Sequence, residues 1–236
     1  MHLFAGAGGG ILGGMLLGHT CVCAVELEPY CRRVLLQRQM DGILPKFPIW
    51  DDVRTFDGKP WRGLVDAICA GFPCKGVSPA RTNNHVNGKL VGIHGGSSEL
   101  WSEIPRIAVE AGYPDLFVEN SSQLINYGLC RIVHTLNAIG YECKWCVLGA
   151  GHLQADHERE RLWLKATHPN GPQQQRGGVS GRVHQEHQNS GRSNWWKNQP
   201  GMERVADGMA NRVDRLKAIG NGQVPAVVEL AWKALT

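Results

Sequence analysis

The sequence predicts an α/β fold built on a parallel sheet, and three observations carry that expectation. Short apolar runs rich in small and β-branched residues recur at residues 21–26, 65–70 and 114–120, separated by stretches with helical periodicity. Runs of that length without polar alternation read as strands covered on both faces. Each run also ends in residues that carry chemistry: Glu26, then Gly71-Phe72-Pro73-Cys74, then Glu119-Asn120. Open α/β sheets bind their ligands beyond the carboxyl ends of their strands.

Taken in order, Leu3-Phe4-Ala5-Gly6-Ala7-Gly8-Gly9-Gly10 reads as a very short strand entering a glycine-rich turn, followed by an apolar helix. Such a turn lets backbone N–H groups approach a ligand. Gly8-x-Gly10-x-x-Gly13 matches the dinucleotide-binding spacing. With 30 glycines in the chain, that match arises readily by chance. A tight strand-to-helix turn with no ligand fits it as well. Glu26 closes the second strand, where an acid commonly accepts from ribose hydroxyls. A helix is expected from Pro29, near its first turn, to about Met40. Asp52-Val53, after Trp50, forms a second acidic strand end. Either acid alone reads as a solvated cap; the two together after a glycine loop suggest a nucleoside crevice.

Residues 65–70 end abruptly at Gly71 and Pro73, because proline has no N–H for a ladder. Cys74 alone would read as a buried structural thiol. Residues 75–96 carry Lys75, Ser78 and Arg81 among glycines and show no periodicity, which reads as a mobile lid. A helix is expected over 97–111, with Ser97 as N-cap. Glu119 should emerge on the same sheet edge as Cys74, pairing a thiol with an acid. A second helix covers 129–139 and is closed by Gly140. The strand over 141–148 contains Cys143-x-x-Cys146, whose side chains point to opposite faces, so no metal site is expected. Arg159 and Arg161 follow in the approach to another strand, on one face at period two, either reaching the active rim or lying along a solvated edge.

Residues 167–194 are polar and cannot bury a core of their own. From His168 to Lys217 there are eight Lys/Arg against four Asp/Glu, a surplus equal to the +4 formal charge of the whole 236-residue chain. Basic residues such as Arg204 interleaved with Trp195-Trp196 suit nucleic-acid contact. A hydrophobic anchor for a loop is the other reading. Gly220-Asn221-Gly222 is a turn leading into an apolar helix over 226–235. The most apolar stretch, residues 11–25, is interrupted by Gly13, Gly14, Gly18 and His19 and does not suit a membrane span. Eight cysteines without a disulfide framework suggest a reduced, cytoplasmic setting.

The order Phe4-x-Gly6-x-Gly8-Gly9, Glu26, Asp52-Val53, Gly71-Phe72-Pro73-Cys74, Glu119-Asn120, Arg159-x-Arg161 and Gly220-Asn221 resembles the DNA cytosine-5 methyltransferase family, small bacterial or phage type. The resemblance spans nearly the whole chain apart from residues 167–194. It implies a doubly wound, mostly parallel, Rossmann-like sheet, the S-adenosylmethionine-dependent methyltransferase fold. It also implies methyl transfer from S-adenosylmethionine to carbon 5 of a flipped cytosine in double-stranded DNA. Phe4, Gly6 and Gly8 would then line the cofactor's methionine part, Glu26 would hold its ribose and Asp52 its adenine, with Gly9, Leu27, Val53, Pro73 and Asn221 also in the cofactor pocket. Cys74 would be the nucleophile, Glu119 its partner at cytosine N3, and Arg159 and Arg161 their supports. Lys75, Ser78, Arg81, Asn120, Trp195, Trp196 and Arg204 are the candidate DNA contacts.

The same resemblance implies a catalytic domain over 1–166, a short target-recognition segment over 167–205 and a C-terminal return over 206–236. A cognate restriction endonuclease is one partner to be expected, and of the oligomeric states a monomer is favoured. Three departures stand out. Lys75 occupies a position where the family often has Gln, His157 precedes the arginine pair where Gln is common, and the recognition segment is short and polar. A catalytically weak DNA-binding relative and a cytosine-5 methyltransferase acting on RNA are therefore alternatives. A nicotinamide-dependent dehydrogenase would explain the glycine spacing but neither Gly71-Phe72-Pro73-Cys74 nor Glu119-Asn120.

Overall fold

The computed structural model describes residues 1–73, 85–86, 89–90, 99–172, 214, 218 and 222–236. Cys74, Lys75, Ser78, Arg81, Ser97, Trp195, Trp196, Arg204 and Asn221 lie outside the described residues, as do most of the expected lid and recognition segment. Within the expected lid, two short strands, β5 (His85–Val86) and β6 (Lys89–Leu90), pair antiparallel.

The main sheet has seven strands in the order β3-β2-β1-β4-β7-β9-β8. These are β1 (His2–Leu3), β2 (Ala24–Val25), β3 (Ile49–Trp50), β4 (Ala67–Ala70), β7 (Asp115–Ser121), β8 (Glu142–Leu148) and β9 (Arg161–Thr167). The first five in spatial order are parallel, and β9 runs antiparallel to both β7 and β8. The chain moves outward from β1 to β2 and β3, then returns to the other side of β1 for β4. The β1–β4 boundary is therefore the switch point at which such sheets bind ligands. The predicted α/β, mostly parallel, doubly wound sheet is what the structure contains.

Alternation along the strands sends side chains to two covered faces. On one face Leu3, Val25, Ile68, Ala70, Leu116, Val118, Leu162 and Leu164 pack with Trp101, Ile104, Ile107 and Ala108 of α3 (Glu99–Glu110) and with Leu129, Ile132 and Leu136 of α5 (Leu129–Ala138). A single turn, α4 (Leu124–Tyr127), precedes α5. On the other face Phe117 and Trp163 stack at 5.4 Å beneath Val227, Val228, Ala231 and Leu235 of α6 (Pro225–Leu235). Ile11 of α1 (Gly9–Leu16) and Leu35 of α2 (Pro29–Met40) join Ala24 and Phe47 in a third cluster. Pro29 opens α2 and its run closes at Met40, as the sequence predicts.

Gly13 sets how closely α1 and α6 approach. A Cβ there would collide with the Val228 side chain and lie 2.8 Å from the Pro225 carbonyl oxygen. Gly13→Ala is expected to cost about 1–3 kcal/mol, the usual penalty for overpacking. A urea-unfolding midpoint lowered with an unchanged slope would show it.

His2 lies buried in β1. Burial first, then the nearby chain-terminal ammonium and His19, lowers its pKa from 6.5 to about 3. The unfolded chain therefore takes up a proton near pH 6.5 that the folded chain refuses until near pH 3. Stability should fall as pH drops through that window, by about 2 kcal/mol between pH 7 and pH 5 at about 1.4 kcal/mol per unit. Unfolding midpoints at the two pH values should show this slope, and His2→Asn should flatten it.

Candidate active site

The glycine-rich turn begins with Phe4 at φ +55° and continues through Gly6 at +55° and Gly8 at +91°. A left-handed phenylalanine is costly and recurs at functional turns. Two anchors hold the loop. The Gly6 N–H donates to Glu26 Oε2 at 2.6 Å, and Arg38 Nη1 of α2 donates to the Ala7 carbonyl at 2.6 Å. Glu26 is buried at the end of β2, and its other oxygen accepts the Glu28 N–H at 2.7 Å. Each carboxylate oxygen has a second lone pair, so Glu26 keeps acceptor capacity beyond these two bonds, although it is not among the residues lining the cleft at the switch point. Leu27 beside it is exposed.

The glycines that match the dinucleotide spacing serve packing. Gly8 adopts a left-handed turn close to Leu35, Gly10 abuts the Gln223 side chain, and Gly13 meets Val228. Gly9 faces the Gln223 backbone, and its Cβ would collide with that carbonyl. Gly6 has open space where a Cβ would stand.

Asp52 caps the 3₁₀ turn Val53–Thr55 by accepting the Arg54 N–H at 3.0 Å. It also pairs with the Arg54 guanidinium at 2.6 Å, and these hydrogen bonds hold its carboxyl below the usual range. Val53 is a core residue whose carbonyl accepts from Arg106 Nη2 at 2.9 Å. Arg106 in turn bridges Glu103 and Glu110 of α3, which fixes this turn to the domain.

Strand register brings the reactive edge together. Ala70 pairs with Val118, so Gly71 and Glu119 stand level one residue further on. A Cβ on Gly71 would lie 3.1 Å from Glu119 Oε2. Asn120 Nδ2 donates to the Phe72 carbonyl at 3.0 Å, tying the start of Gly71-Phe72-Pro73 to β7. The chain thus leaves β4 beside Glu119, three residues before Cys74. Glu119 lies within β7 rather than at its tip, and it is buried.

Across the β7–β9 ladder, Glu119 faces Trp163 and Ser121 faces Arg161, so Glu119 and Arg161 are diagonal neighbours on one face. Arg161 Nε meets Glu119 Oε1 at 3.0 Å, and Gln223 Nε2 donates to Oε2 at 3.3 Å. Burial still dominates and raises the Glu119 pKa, opposed by Arg161, Gln223 and Arg159.

The expectation that Arg159 and Arg161 share one strand face is corrected here. β9 begins at Arg161, and Arg159 sits before it at φ +38°, off the period-two pattern. Its Nη2 instead donates to the Gly222 carbonyl at 2.7 Å. Arg161 therefore contacts the acid, and Arg159 anchors the segment leading into α6. Burial, then the charge of Arg161, lowers the Arg159 pKa.

A cleft at the switch point is lined by residues of the β1 exit, the β4 exit and the α6 approach, with Phe4, Gly6, Gly71, Glu119, Gly222 and Gln223 among them. Gly10 lines it; Gly8 and Gly9 are not among its lining residues. The sequence reading missed Gln223 altogether. The only local signal was a polar side chain between a glycine turn and Pro225. Among the described residues no cluster of His, Cys, Asp or Glu could hold a metal ion.

This arrangement is that of the S-adenosylmethionine-dependent methyltransferase fold, and the solved structures it resembles agree. A Spodoptera frugiperda DNMT2 mutant superposes with a TM-score of 0.55 at 17% identity, covering 72% of this chain and 50% of that one. The S. pombe Dnmt2 methyltransferase gives 0.53 at 15% identity, covering 71% and 48%. The chain belongs to the C-5 cytosine-specific DNA methylase family, whose model matches residues 1–226. Among its relatives are the type II methyltransferase M.CviJI of Paramecium bursaria Chlorella virus IL3A, 32% identical over 167 residues, and M.MspI of Moraxella sp, 31% identical over 171. Each match covers 70% of this chain, which spans 42% and 38% of those relatives. Membership accounts for the glycine spacing without a nicotinamide cofactor.

Proposed function

We propose that this chain transfers a methyl group from S-adenosylmethionine to carbon 5 of cytosine in double-stranded DNA. The observation that carries the reading is a buried carboxyl, Glu119, clamped by Arg161 and Gln223 and level with the exit of the strand that leads to Cys74.

The residues at the switch point fit the cofactor. The glycine turn leaves open space at Gly6, and Glu26 lies at the adjoining strand end with acceptor capacity for ribose hydroxyls. When bound, S-adenosylmethionine supplies an electrophilic methyl on a sulfonium. Cys74 would add as thiolate to cytosine carbon 6, making carbon 5 nucleophilic enough to take the methyl group, and would leave once the methylated carbon 5 has given its proton to water. Glu119 would hold cytosine N3 and share a proton with it as ring charge develops. A carboxyl whose pKa burial has raised is suited to that task. Arg161 would keep Glu119 oriented, and the target base would have to leave the duplex to reach it.

The reading puts the chain in the cytoplasm, acting as a monomer beside a cognate restriction endonuclease. Among the described residues no helix is long and apolar enough to cross a membrane. Residues 167–205 would read the target sequence.

Glu26→Ala is expected to weaken cofactor binding by about 1–3 kcal/mol, as for one lost charged acceptor. Calorimetric titration of S-adenosylmethionine checks it, and unchanged affinity would remove Glu26 from the pocket. Incubation with methyl-labelled S-adenosylmethionine and a mixed-sequence duplex tests the activity. Label recovered as 5-methylcytosine supports it. Cofactor and duplex both bound without label would instead indicate a DNA-binding relative.

A further inference from the structure

Gln223 stands where the glycine turn, the β4 exit and Glu119 converge. Its carbonyl occupies the space a Cβ on Gly9 would need, its Oε1 that of one on Gly10, and its Nε2 lies 3.0 Å from a Cβ built on Gly71. Three glycines thus open the volume this one residue fills. Its amide has a defined sense, because a carboxylate only accepts: Nε2 faces Glu119 Oε2 at 3.3 Å and Oε1 faces Gly10. Arg161 holds the other Glu119 oxygen from β9. Gly222, immediately before Gln223, is held by Arg159. The two arginines therefore divide the work, one on the acid and one on the backbone that presents its second partner.

We propose that Gln223 is a positioning residue for Glu119, fixing the orientation of that carboxyl and tying it to the glycine turn. The geometry stands on its own; the catalytic consequence rests on the function proposed above. A filler side chain would occupy the same volume without the directed N–H. Among the described residues, the groups acting on Glu119 are Arg161 and Arg159 from the β9 side and Gln223 from the α6 approach. Removing the Gln223 donor withdraws a partner of the ionised carboxyl, so Glu119 should titrate at higher pH.

The test is a carboxyl titration by NMR of the full chain carrying carbon-13 at glutamate side chains, with Glu119→Gln identifying the resonance. Gln223→Leu, close in size but lacking the N–H, should move the Glu119 midpoint up by about one pH unit. Gln223→Met, unbranched, serves if the leucine variant does not fold. In the transfer assay the pH limb of kcat should move in the same direction, with the cofactor KM changed less than about twofold. An unmoved Glu119 midpoint, or a raised cofactor KM with the midpoint unmoved, would overturn the proposal and make Gln223 a wall of the cofactor pocket. A moved midpoint in a chain that transfers no methyl group would uphold the positioning role and reject the proposed function instead.

Discussion

Cys74→Ser is expected to abolish methyl transfer while leaving S-adenosylmethionine affinity within about twofold of the unsubstituted chain. The expectation rests on reactivity rather than size. A thiol near pKa 8.5 offers an accessible thiolate, and the sulfur adds to a ring carbon and leaves again. A serine hydroxyl has no comparable anion near neutral pH. The described start of the segment is consistent with that role: β4 ends at Ala70 opposite Val118, which sets Gly71 level with Glu119, and Asn120 holds the Phe72 carbonyl at 3.0 Å. Cys69 and Cys23 do not substitute for it in this reading. Burial raises Cys69, the one nearest the cleft, and pushes Cys23 up to about 11. Labelled-methyl transfer beside a calorimetric cofactor titration measures both halves. Retained turnover would remove Cys74 as the nucleophile.

Glu119→Gln should lower kcat by about 10²–10⁴-fold, the contribution typical of a positioned proton donor or acceptor. The amide keeps the shape and can still accept from Arg161, so cofactor binding and the unfolding transition should change far less than turnover. The sign of the pH effect follows from the raised pKa. Between the unfolded and folded values, the folded chain retains a proton that the unfolded chain has released. Stability therefore declines as pH rises across that window. Glu119→Gln cannot ionise and should lose that part of the slope. A kcat within about threefold of the unsubstituted chain would mean that Glu119 is a buried structural acid.

Much of this was readable in the chain, and the failures share a cause. The apolar runs ending in Glu26, Gly71 and Glu119 are strands, because burial on both faces demands uninterrupted apolar residues. Pro29 opens its helix, because the constraint is local. What escaped were features set by tertiary return. Gln223 gains meaning only when α6 folds back over α1 and delivers it to β7. Arg159 leaves the strand pattern because its backbone turns to φ +38° before β9 starts, which a period-two reading cannot register. Gly9 was read as cofactor-facing from its motif, yet it accommodates the Gln223 backbone. Asp52 caps its turn, as an acidic strand end does when it stands alone, but the sequence does not show that Arg54, two residues on, also pairs with it.

Among all these measurements, trapping on a duplex containing 5-fluorocytosine addresses the central claim most directly. Fluorine at carbon 5 cannot leave as a proton does, so a thiolate that has added to carbon 6 stays attached after methyl transfer. A covalent protein–DNA adduct that requires S-adenosylmethionine, is carried by Cys74 and disappears with Cys74→Ser is the predicted result. Methyl transfer to ordinary cytosine without any such adduct, or an adduct that survives Cys74→Ser, would contradict it.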